Sequence, residues 1–567
     1  MKKVVSLLLA AAMCLALCAC GGSSGTNSTE AENYALKGVS SEEGDFVVPL
    51  LPGKYTTKRI GDDNNVKWAA VTPDRSTIVY IKNDGSLYTI GTEAPEAEKV
   101  AANVGKVTHI DDTGFVYYDA DSEETYDYSS IGMFYRYTFA DKETVKLGVL
   151  FNTIFSKNAL SMAYLALDGI DDINDLGELD TADLKELKIA VRLLNSDSAE
   201  PITISSVLLT KLYDVSLLAI SKNGDKLVWS ETQDKYSGAR IYIYVDGEKD
   251  TLCSIDGSVG DVQYNDDLSL ITIEDETNNT LYVSIGGETE KHKLGSQMVS
   301  YNDIYTDKEK VSDSTSAING LYVSCSGDNG YYDLYWLNND GDRERVAENL
   351  RKYIIDNGRI LYIDEEGRLY SAKISGTEIT DETKIAGDVQ SFYIANDRKT
   401  ICYYKDMGGS NVWGLYVYTG SGEPQKISAE AAGKYSPKFY ISSDAKSVFY
   451  FTDFEEVGNS GYTYKGTLMK YSVKEKESTK IASEVLTDSL KDGKRYDVYN
   501  TIDGSNFIYE KYVADGNNGV VFNWLLFNGN ESEIIAKNLT TASRNNVAAA
   551  AEAAPATSKY AVPAEEA

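Results

Sequence analysis

The stretch VTPDRSTIVYIKNDGSLYTI, from Val71 to Ile90, contains two signals that together decide the fold. Its apolar, β-branched and aromatic residues alternate with polar ones, and this period of two is typical of half-buried β-strands. Asp74 and the run from Asn83 to Gly85 interrupt the alternation with residues that tight turns favour. The stretch therefore predicts two successive antiparallel hairpins.

Units of this kind recur along the chain. Full versions run from Ile220 to Trp229, Tyr264 to Ile273, Ile394 to Tyr403 and Ile441 to Tyr450, and shorter versions begin at Ile110, Ile355 and Ile502. A second hairpin follows many of these units, which gives four short strands roughly every 40 to 50 residues, the spacing of propeller blades. The sequence therefore predicts an all-β protein of the β-propeller class.

The repeats resemble those of TolB-type, WD-repeat-like β-propellers. The match is best where Thr72, Pro73 and Asp74 lead to a strand at Ile78 and where Leu87 opens the next strand. The resemblance extends unevenly from about residue 60 to about residue 540. It implies a propeller fold and indicates little about function.

The number of blades is harder to predict. About ten candidate units can be counted, more than the four to eight blades usual in one propeller. We expect one ring of about seven or eight blades, with the other units as insertions, because no linker-like segment divides the body. Two rings are an alternative, and a β-sandwich array or a β-solenoid fits the four-stranded repeat less well.

One segment, from about residue 157 to 201, departs from strand patterning. From Thr181 to Leu194 it places Leu184, Leu187 and Val191 at helical spacing. We expect a small helical insertion here, packed on the propeller. A blade with poor patterning is the alternative.

The N-terminus has the pattern of an export signal, with a basic start followed by an apolar run that ends near Ala19. Leu17-Cys18-Ala19-Cys20 resembles the bacterial lipobox, which implies that Cys20 is acylated and anchors the protein in the membrane, facing outside the cytoplasm. A plain secreted protein cut near Ala19 is the alternative. The predicted segments are a signal peptide at 1–19, a flexible tether at 20–43, the propeller at 44–544 and a disordered tail rich in Ala, Glu and Pro at 545–567.

The charge balance restricts the partners. Lys and Arg number 55 against 87 Asp and Glu, a formal net charge of -32. Because nucleic acid is a polyanion, this field argues against a nucleic-acid partner. We expect an envelope protein or a cell-surface polymer as partner, in addition to membrane lipid held through Cys20.

A weak calcium-loop candidate precedes the predicted helix. Asp172, Asn174 and Asp183 stand at ligand positions 1, 3 and 12 of an EF-hand-like loop, but Leu176 occupies position 5, where such loops carry an oxygen ligand. A solvated acidic turn is the favoured interpretation. No cofactor is expected.

Catalytic motifs are sparse. The chain has two histidines, His109 and His292, neither in a nucleophile context, and His292 is predicted on a surface strand. A pair of carboxylates for glycoside cleavage remains an alternative, because a sequence does not give the distance between two carboxylates in the fold. We therefore expect a non-catalytic platform that binds protein or polymer at the cell envelope. The alternatives are a propeller enzyme acting on polysaccharide or peptide and a ligand-sensing or delivery subunit of a membrane complex.

Overall fold

The computed structural model describes residues 32–540 apart from short gaps. These gaps are 34–35, 38, 41–45, 51–55, 61–65, 95, 120–123, 127–128, 158–160, 171–185, 196–199, 209–213, 233–237, 300–301, 315–318, 328–329, 339–342, 409–412, 434–435, 438, 459–462, 488, 492–493, 496–500 and 517–518. Cys20 and the calcium-loop candidates Asp172, Asn174 and Asp183 lie outside the described residues.

Five short strands precede the repeats: β1 (Glu32–Asn33), β2 (Leu36–Lys37), β3 (Val39–Ser40), β4 (Phe46–Leu50) and β5 (Thr56–Arg59). β3, β4 and β5 form one antiparallel sheet. The first three strands lie within the segment interpreted as a tether, so strand pairing begins closer to the N-terminus than the expected residue 44.

The repeats then form ten successive units, numbered here in chain order. Unit 1 contains β6 (Val66–Val71), β7 (Thr77–Lys82), β8 (Leu87–Gly91) and β9 (Glu98–Ala101). Unit 2 contains β10 (Val104–Ile110), β11 (Gly114–Asp119), β12 (Glu124–Tyr126), β13 (Ser129–Thr138) and β14 (Thr144–Phe155). Unit 3 takes the second half of β14 as its first strand and adds β15 (Met162–Asp168), β16 (Lys188–Leu194) and β17 (Ile202–Leu208).

Units 4 to 7 are regular four-stranded antiparallel sheets. Unit 4 contains β18 (Asp214–Ile220), β19 (Leu227–Thr232), β20 (Ala239–Val245) and β21 (Glu248–Ser254), and unit 5 contains β22 (Val259–Tyr264), β23 (Leu270–Asp275), β24 (Thr280–Ile285) and β25 (Glu288–Lys293). Unit 6 contains β26 (Tyr305–Thr306), a 3-10 turn (Val311–Asp313), β27 (Gly320–Ser326), β28 (Tyr332–Asn338) and β29 (Arg343–Leu350). Unit 7 contains β30 (Lys352–Asp356), β31 (Arg359–Ile363), β32 (Leu369–Ser375) and β33 (Glu378–Ala386).

Units 8 and 9 follow the same plan, whereas the first two strands of unit 10 pair outside that unit. Unit 8 contains β34 (Val389–Ile394), β35 (Ile401–Asp406), β36 (Trp413–Tyr418), β37 (Gln425–Gly433) and β38 (Ser436–Pro437). Unit 9 contains β39 (Phe439–Ser442), β40 (Ser447–Glu456), β41 (Tyr464–Ser472) and β42 (Glu477–Leu486). Unit 10 contains β43 (Lys494–Arg495), β44 (Thr501–Ile502), β45 (Phe507–Gly516), β46 (Gly519–Phe527) and β47 (Ser532–Thr540). β44 pairs with β39 in parallel, whereas neighbouring strands elsewhere in the described chain pair antiparallel.

Buried apolar clusters join the units into a ring. Within the described residues there are ten such clusters, each containing residues of at least two successive units. One of them contains Phe522 and Trp524 of unit 10 and Ile78 and Tyr80 of unit 1, together with Val48 of β4. The all-β β-propeller fold is therefore confirmed. The described residues form ten units in one closed circuit, more than the expected seven or eight.

The repeat turn explains why the hairpins form where the sequence predicts them. Thr72 Oγ1 donates to Asp74 Oδ1 at 2.6 Å, and Arg75 follows with a φ of 66°, in the left-handed region. In unit 9 the Ser442 hydroxyl donates to Asp444 in the same way, at 2.7 Å. The repeated Asp therefore holds the turn, as Asp side chains commonly do.

The predicted helix at Thr181–Leu194 is wrong over residues 188–194, whereas Glu186 is helical and 181–185 lie outside the described residues. Residues 188–194 form β16, which pairs antiparallel with β15 on one side and β17 on the other. Both faces of β16 are largely buried, since Ile189 and Val191 pack towards unit 4 and Leu194 packs towards unit 2. A strand buried on both faces reads as a nearly continuous apolar run, and such a run can match helical spacing by chance. The alternative, a poorly patterned blade, is what the structure contains.

Within the described part of the chain, no helix is both long enough and apolar enough to span a membrane.

Candidate carboxyl site on the inner strands

The first strand of each unit borders the axis of the ring. The fourth strands, such as β21, β25 and β33, are mostly exposed and lie on the outside. The first strands instead contact one another: Lys352 of β30 donates through Nζ to Ser391 Oγ of β34 at 3.1 Å. Side chains of several units therefore approach one another on these inner strands.

A β-bulge in unit 5 places a carboxyl on this inner edge. β22 and β23 pair Val259 with Asp275 and then Val262 with Ile273, so two residues of β22 oppose one residue of β23. The two are Gly260 and Asp261, and the one is Glu274. Bulges of this kind turn a side chain away from the regular direction and are frequent beside functional sites.

Position 260 is a glycine because the side chains of Glu276 and Glu274 lie close to its Cα atom. A Cβ atom there would lie 2.5 Å from Glu276 Cγ and 3.2 Å from Glu274 Cβ. The first distance is shorter than side chains tolerate, so a larger residue would displace Glu276. Gly260 thus allows three acidic side chains to gather at the bulge.

Burial raises the pKa of both carboxyls in the bulge. Asp261 is 6% exposed, and burial raises its pKa to about 7 against the opposing hydrogen bond from Gln263. Glu274 is 1% exposed, and burial, followed by the charge of Glu276, raises its pKa to about 7. The charge of Asp261 raises the pKa of Glu274 further, whereas a hydrogen bond from the backbone N–H of Asp261 lowers it. Asp261 and Glu274 are therefore two neighbouring buried carboxyls whose pKa values are both raised towards neutral pH.

The pair is held on one side only. Gln263 Nε2 donates to Asp261 Oδ2 at 2.8 Å, while Gln263 Oε1 accepts from the backbone N–H of Ile304 at 2.7 Å. Gln263 thereby fixes Asp261 against the start of unit 6. Glu274 Oε2, by contrast, is buried and has no hydrogen-bond partner among the described residues. A buried carboxyl oxygen without a partner is more costly when the group is charged than when it is protonated, which agrees with the raised pKa.

Two further titratable groups lie on inner strands. Asp214, the first residue of β18, accepts from Ser216 Oγ at 3.1 Å, and burial raises its pKa to about 6. Lys352, the first residue of β30, has its pKa lowered by burial to about 8. Shifted pKa values grouped in one region are typical of functional sites, although structural networks also produce them.

This arrangement can perform proton transfer. A general acid or base works best when its pKa is close to the working pH, and both Asp261 and Glu274 meet that condition. Within the described ranges, no group of three or more His, Cys, Asp or Glu side chains is arranged to hold a metal ion.

The two histidines do not join this site. His109 Nε2 lies 3.3 Å from Asp111 Oδ2 and its ring stacks on Phe155 at 3.8 Å. His292 is 4% exposed, so its predicted place on the surface is wrong. The outermost strand of unit 5 carries it, but its side chain points towards unit 6 together with Leu281, its cross-strand partner.

A signal for Glu274 exists in the sequence but was missed. The turn bonds from Thr72 N–H to Thr77 O and from Asn265 N–H to Leu270 O align unit 1 with unit 5. In this alignment Glu274 of unit 5 occupies the same position as Ile81 of unit 1. Units 8 and 9 have Tyr404 and Phe451 at that position, and all four side chains are buried. A carboxyl is unusual at a position where units 1, 8 and 9 have an apolar or aromatic side chain. No such pattern identifies Asp261.

Comparison with known proteins adds to this description. No family model and no curated protein matches the chain. Among solved structures, the tricorn protease is 12% identical over 90% of this chain and 58% of its own, with a TM-score of 0.25. Dipeptidyl peptidase 4 of Porphyromonas gingivalis is 10% identical over 81% and 64%, with a TM-score of 0.36. A putative TolB from Agrobacterium tumefaciens is 13% identical over 41% and 83%, with a TM-score of 0.23.

These findings correct one prediction. The sequence led us to expect a protein that is not an enzyme, whereas the similar structures are mainly peptidases, and the expectation is therefore withdrawn. The chain spans less than two thirds of the length of both peptidases compared above. At such identities the likeness shows the fold alone, so no reaction and no residue role comes from it.

Proposed function

We propose that this protein is a lipid-anchored β-propeller of the cell envelope that acts on a polymer, a polysaccharide or a peptide, outside the cytoplasm. In this proposal Cys20 carries the anchor, and the inner strands hold the polymer beside Asp261 and Glu274. The anchor rests on the lipobox resemblance of the sequence, and the reaction rests on the carboxyl pair.

The observation that carries the proposal is the pair of buried carboxyls, Asp261 and Glu274. Cleavage of a glycosidic or peptide bond needs a group that can deliver or remove a proton at neutral pH. Asp261 and Glu274 are adjacent in a bulge, and burial raises the pKa of both to about 7. Two carboxyls with perturbed pKa values are the usual means by which glycosidases divide the work of acid and base.

In this proposal the two carboxyls have different roles. Asp261 is the less buried of the pair and lies on the inner strand, so it is the group that meets the polymer. Glu274 lies one strand further from the axis, and in this proposal it is a positioning residue whose own pKa the charge of Asp261 raises. Gln263 fixes the Asp261 carboxyl through its bond to Oδ2.

The propeller also supports this function. A ring of four-stranded sheets gathers its loops on two faces and leaves the inner strands around one axis, where several units can contact a single long ligand. Asp214 and Lys352 add a second carboxyl region and a cation on other inner strands.

A substrate screen with matched variants tests the proposal. The full-length protein, Asp261→Asn, Glu274→Gln and the control Glu378→Gln would be incubated with bacterial and plant polysaccharides and with protein substrates. New reducing ends and new amino groups report cleavage. We expect turnover of one polymer class, a loss of roughly 10²–10⁴-fold in Asp261→Asn and no change in the control. Absence of turnover on every polymer, or unchanged turnover in Asp261→Asn, would overturn the proposal.

A further inference from the structure

A groove opens on the outside of the ring between units 5 and 6. Its volume is about 240 Å³. Val283 and His292 form its wall on unit 5, and Leu321 and Leu337 form its wall on unit 6. Val283, Leu321 and Leu337 belong to the apolar cluster that joins the two units, so the groove borders this cluster, and neither Asp261 nor Glu274 lines it.

The mouth of the groove is acidic. Glu288 and Glu290 line it, and they lie on the same face of β25 as His292 because alternate residues of a strand share a face. Among the described residues, neither glutamate forms an ion pair with a lysine or an arginine. Lys291 points to the opposite face, where its Nζ bonds to Asp256 at 2.9 Å. The mouth therefore carries two negative charges that no cation of the described chain neutralises.

The floor of the groove is apolar but contains a polar side chain without a full set of partners. Val283, Leu321 and Leu337 are buried there. His292 is also buried, its Nδ1 has no hydrogen-bond partner among the described residues, and its Nε2 lies 3.9 Å from Glu290 Oε2. Burial lowers the pKa of His292, so the ring is neutral at pH 7 and does not oppose a bound cation.

We propose that this groove binds a lysine or arginine side chain presented by a partner protein. The aliphatic stem of such a side chain would lie on Val283, Leu321 and Leu337, and its charged head would remain at the mouth between Glu288 and Glu290. Long cationic side chains commonly adopt this arrangement, with the stem on apolar surface and the head in water.

Size and charge favour this occupant over a small organic ligand. Pockets for drug-sized ligands measure about 300–1,000 Å³, whereas this groove is smaller and suits one side chain. Ile285 at the mouth is 41% exposed and offers apolar area to the partner around the inserted side chain. On unit 6, Arg343 stacks over the ring of Tyr335 at 4.4 Å and is not one of the lining residues.

The net charge of -32 would attract any cationic peptide, so the test must separate the groove from the general field. Glu288→Gln/Glu290→Gln removes the two groove charges. Glu248→Gln/Glu378→Gln is the matched control, because it removes two exposed charges at the starts of β21 and β33 and changes the net charge equally. Ile285→Trp places a larger side chain at the mouth and tests occupancy without changing charge.

The probes are ten-residue peptides that differ at one central position, which is lysine, arginine, norleucine or glutamate. Binding to the full-length protein would be measured by fluorescence polarisation at physiological salt. We expect the lysine and arginine peptides to bind about fivefold to tenfold more weakly to Glu288→Gln/Glu290→Gln than to wild type, with the matched control unchanged. Norleucine should reproduce the loss, and Ile285→Trp should reduce binding of both cationic peptides.

Two results would overturn the inference: equal weakening in the groove variant and the matched control, or binding of the norleucine peptide as strong as that of lysine. The inference does not depend on the proposed polymer chemistry. Failure of either proposal therefore leaves the other one standing.

Discussion

Lys352 of unit 7 donates through Nζ to the backbone carbonyl oxygen of Phe392 in unit 8, at a distance of 2.8 Å. The same ammonium lies 4.3 Å from the centre of the Tyr393 ring. Among the described residues no carboxylate pairs with it. A single cation thus joins the inner strands of two units through neutral oxygen atoms and aromatic rings.

Lys352 should make stability depend on pH in a defined window. Burial lowers its pKa from 10.5 to about 8 in the folded protein, so between those values the unfolded chain binds more protons at this site. The free energy of unfolding should therefore rise with pH from about 8 to 10.5 through this group. Urea unfolding of wild type and Lys352→Met across this range measures the effect. We expect their difference to shift in favour of wild type as the pH rises, and a difference independent of pH would contradict the assignment.

The carboxyl pair should act in the opposite direction. The pKa of Glu274 is raised from 4.5 to about 7, so its contribution to stability is fully present below about pH 4.5 and is lost as the pH rises through 7. Glu274→Gln, which resembles the protonated acid, should increase the free energy of unfolding at pH 8 by on the order of 1–3 kcal/mol and change it little at pH 4. Equal effects at both pH values would show that the substitution acts through packing. Glu378→Gln, at an exposed position on the outer strand of unit 7, is the control.

The repeat made the fold predictable. Each turn carries its own signal, as in the Thr72–Asp74 bond, and a period of two marks the strands on either side. The prediction failed at β16 because that strand is buried on both faces and therefore shows no alternation. The number of units in the ring depends on which sheets pack together. Trp524 of unit 10 shares an apolar cluster with residues of unit 1, and no local sequence pattern predicts such packing between distant parts of the chain.

Most of the candidate site could not be predicted from the sequence, for a similar reason. Asp261 lies on the inner edge because of a register shift between β22 and β23, and its raised pKa results from burial. Both depend on contacts between distant residues. Of the two carboxyls, only Glu274 departs from the repeat pattern in a way that the sequence shows.

Closure of the ring can be tested at Phe522. This residue is fully buried in the cluster that joins unit 10 to unit 1. Phe522→Ala should reduce the free energy of unfolding by about 3–5 kcal/mol, the cost typical of removing a buried aromatic ring. Ile534→Ala, in the same unit but 48% exposed, should cost less than about 0.5 kcal/mol. Similar small effects for both variants, measured by chemical denaturation, would show that the two ends of the ring do not pack stably.

The membrane anchor rests on the lipobox resemblance and has a direct test. Cells that express the full-length protein would be grown with labelled palmitate, and the protein would be recovered and examined for covalent label. Cys20→Ala should abolish incorporation, because acylation requires the sulfur of that residue. Cys18→Ala is the matched control: it changes the neighbouring cysteine to a residue typical of lipoboxes and should leave the label intact. Since stable membrane attachment takes more than one acyl chain, Cys20→Ala should also move the protein from the membrane fraction to the soluble fraction. Continued labelling of Cys20→Ala would contradict the anchor and place the lipid, if any, on another residue.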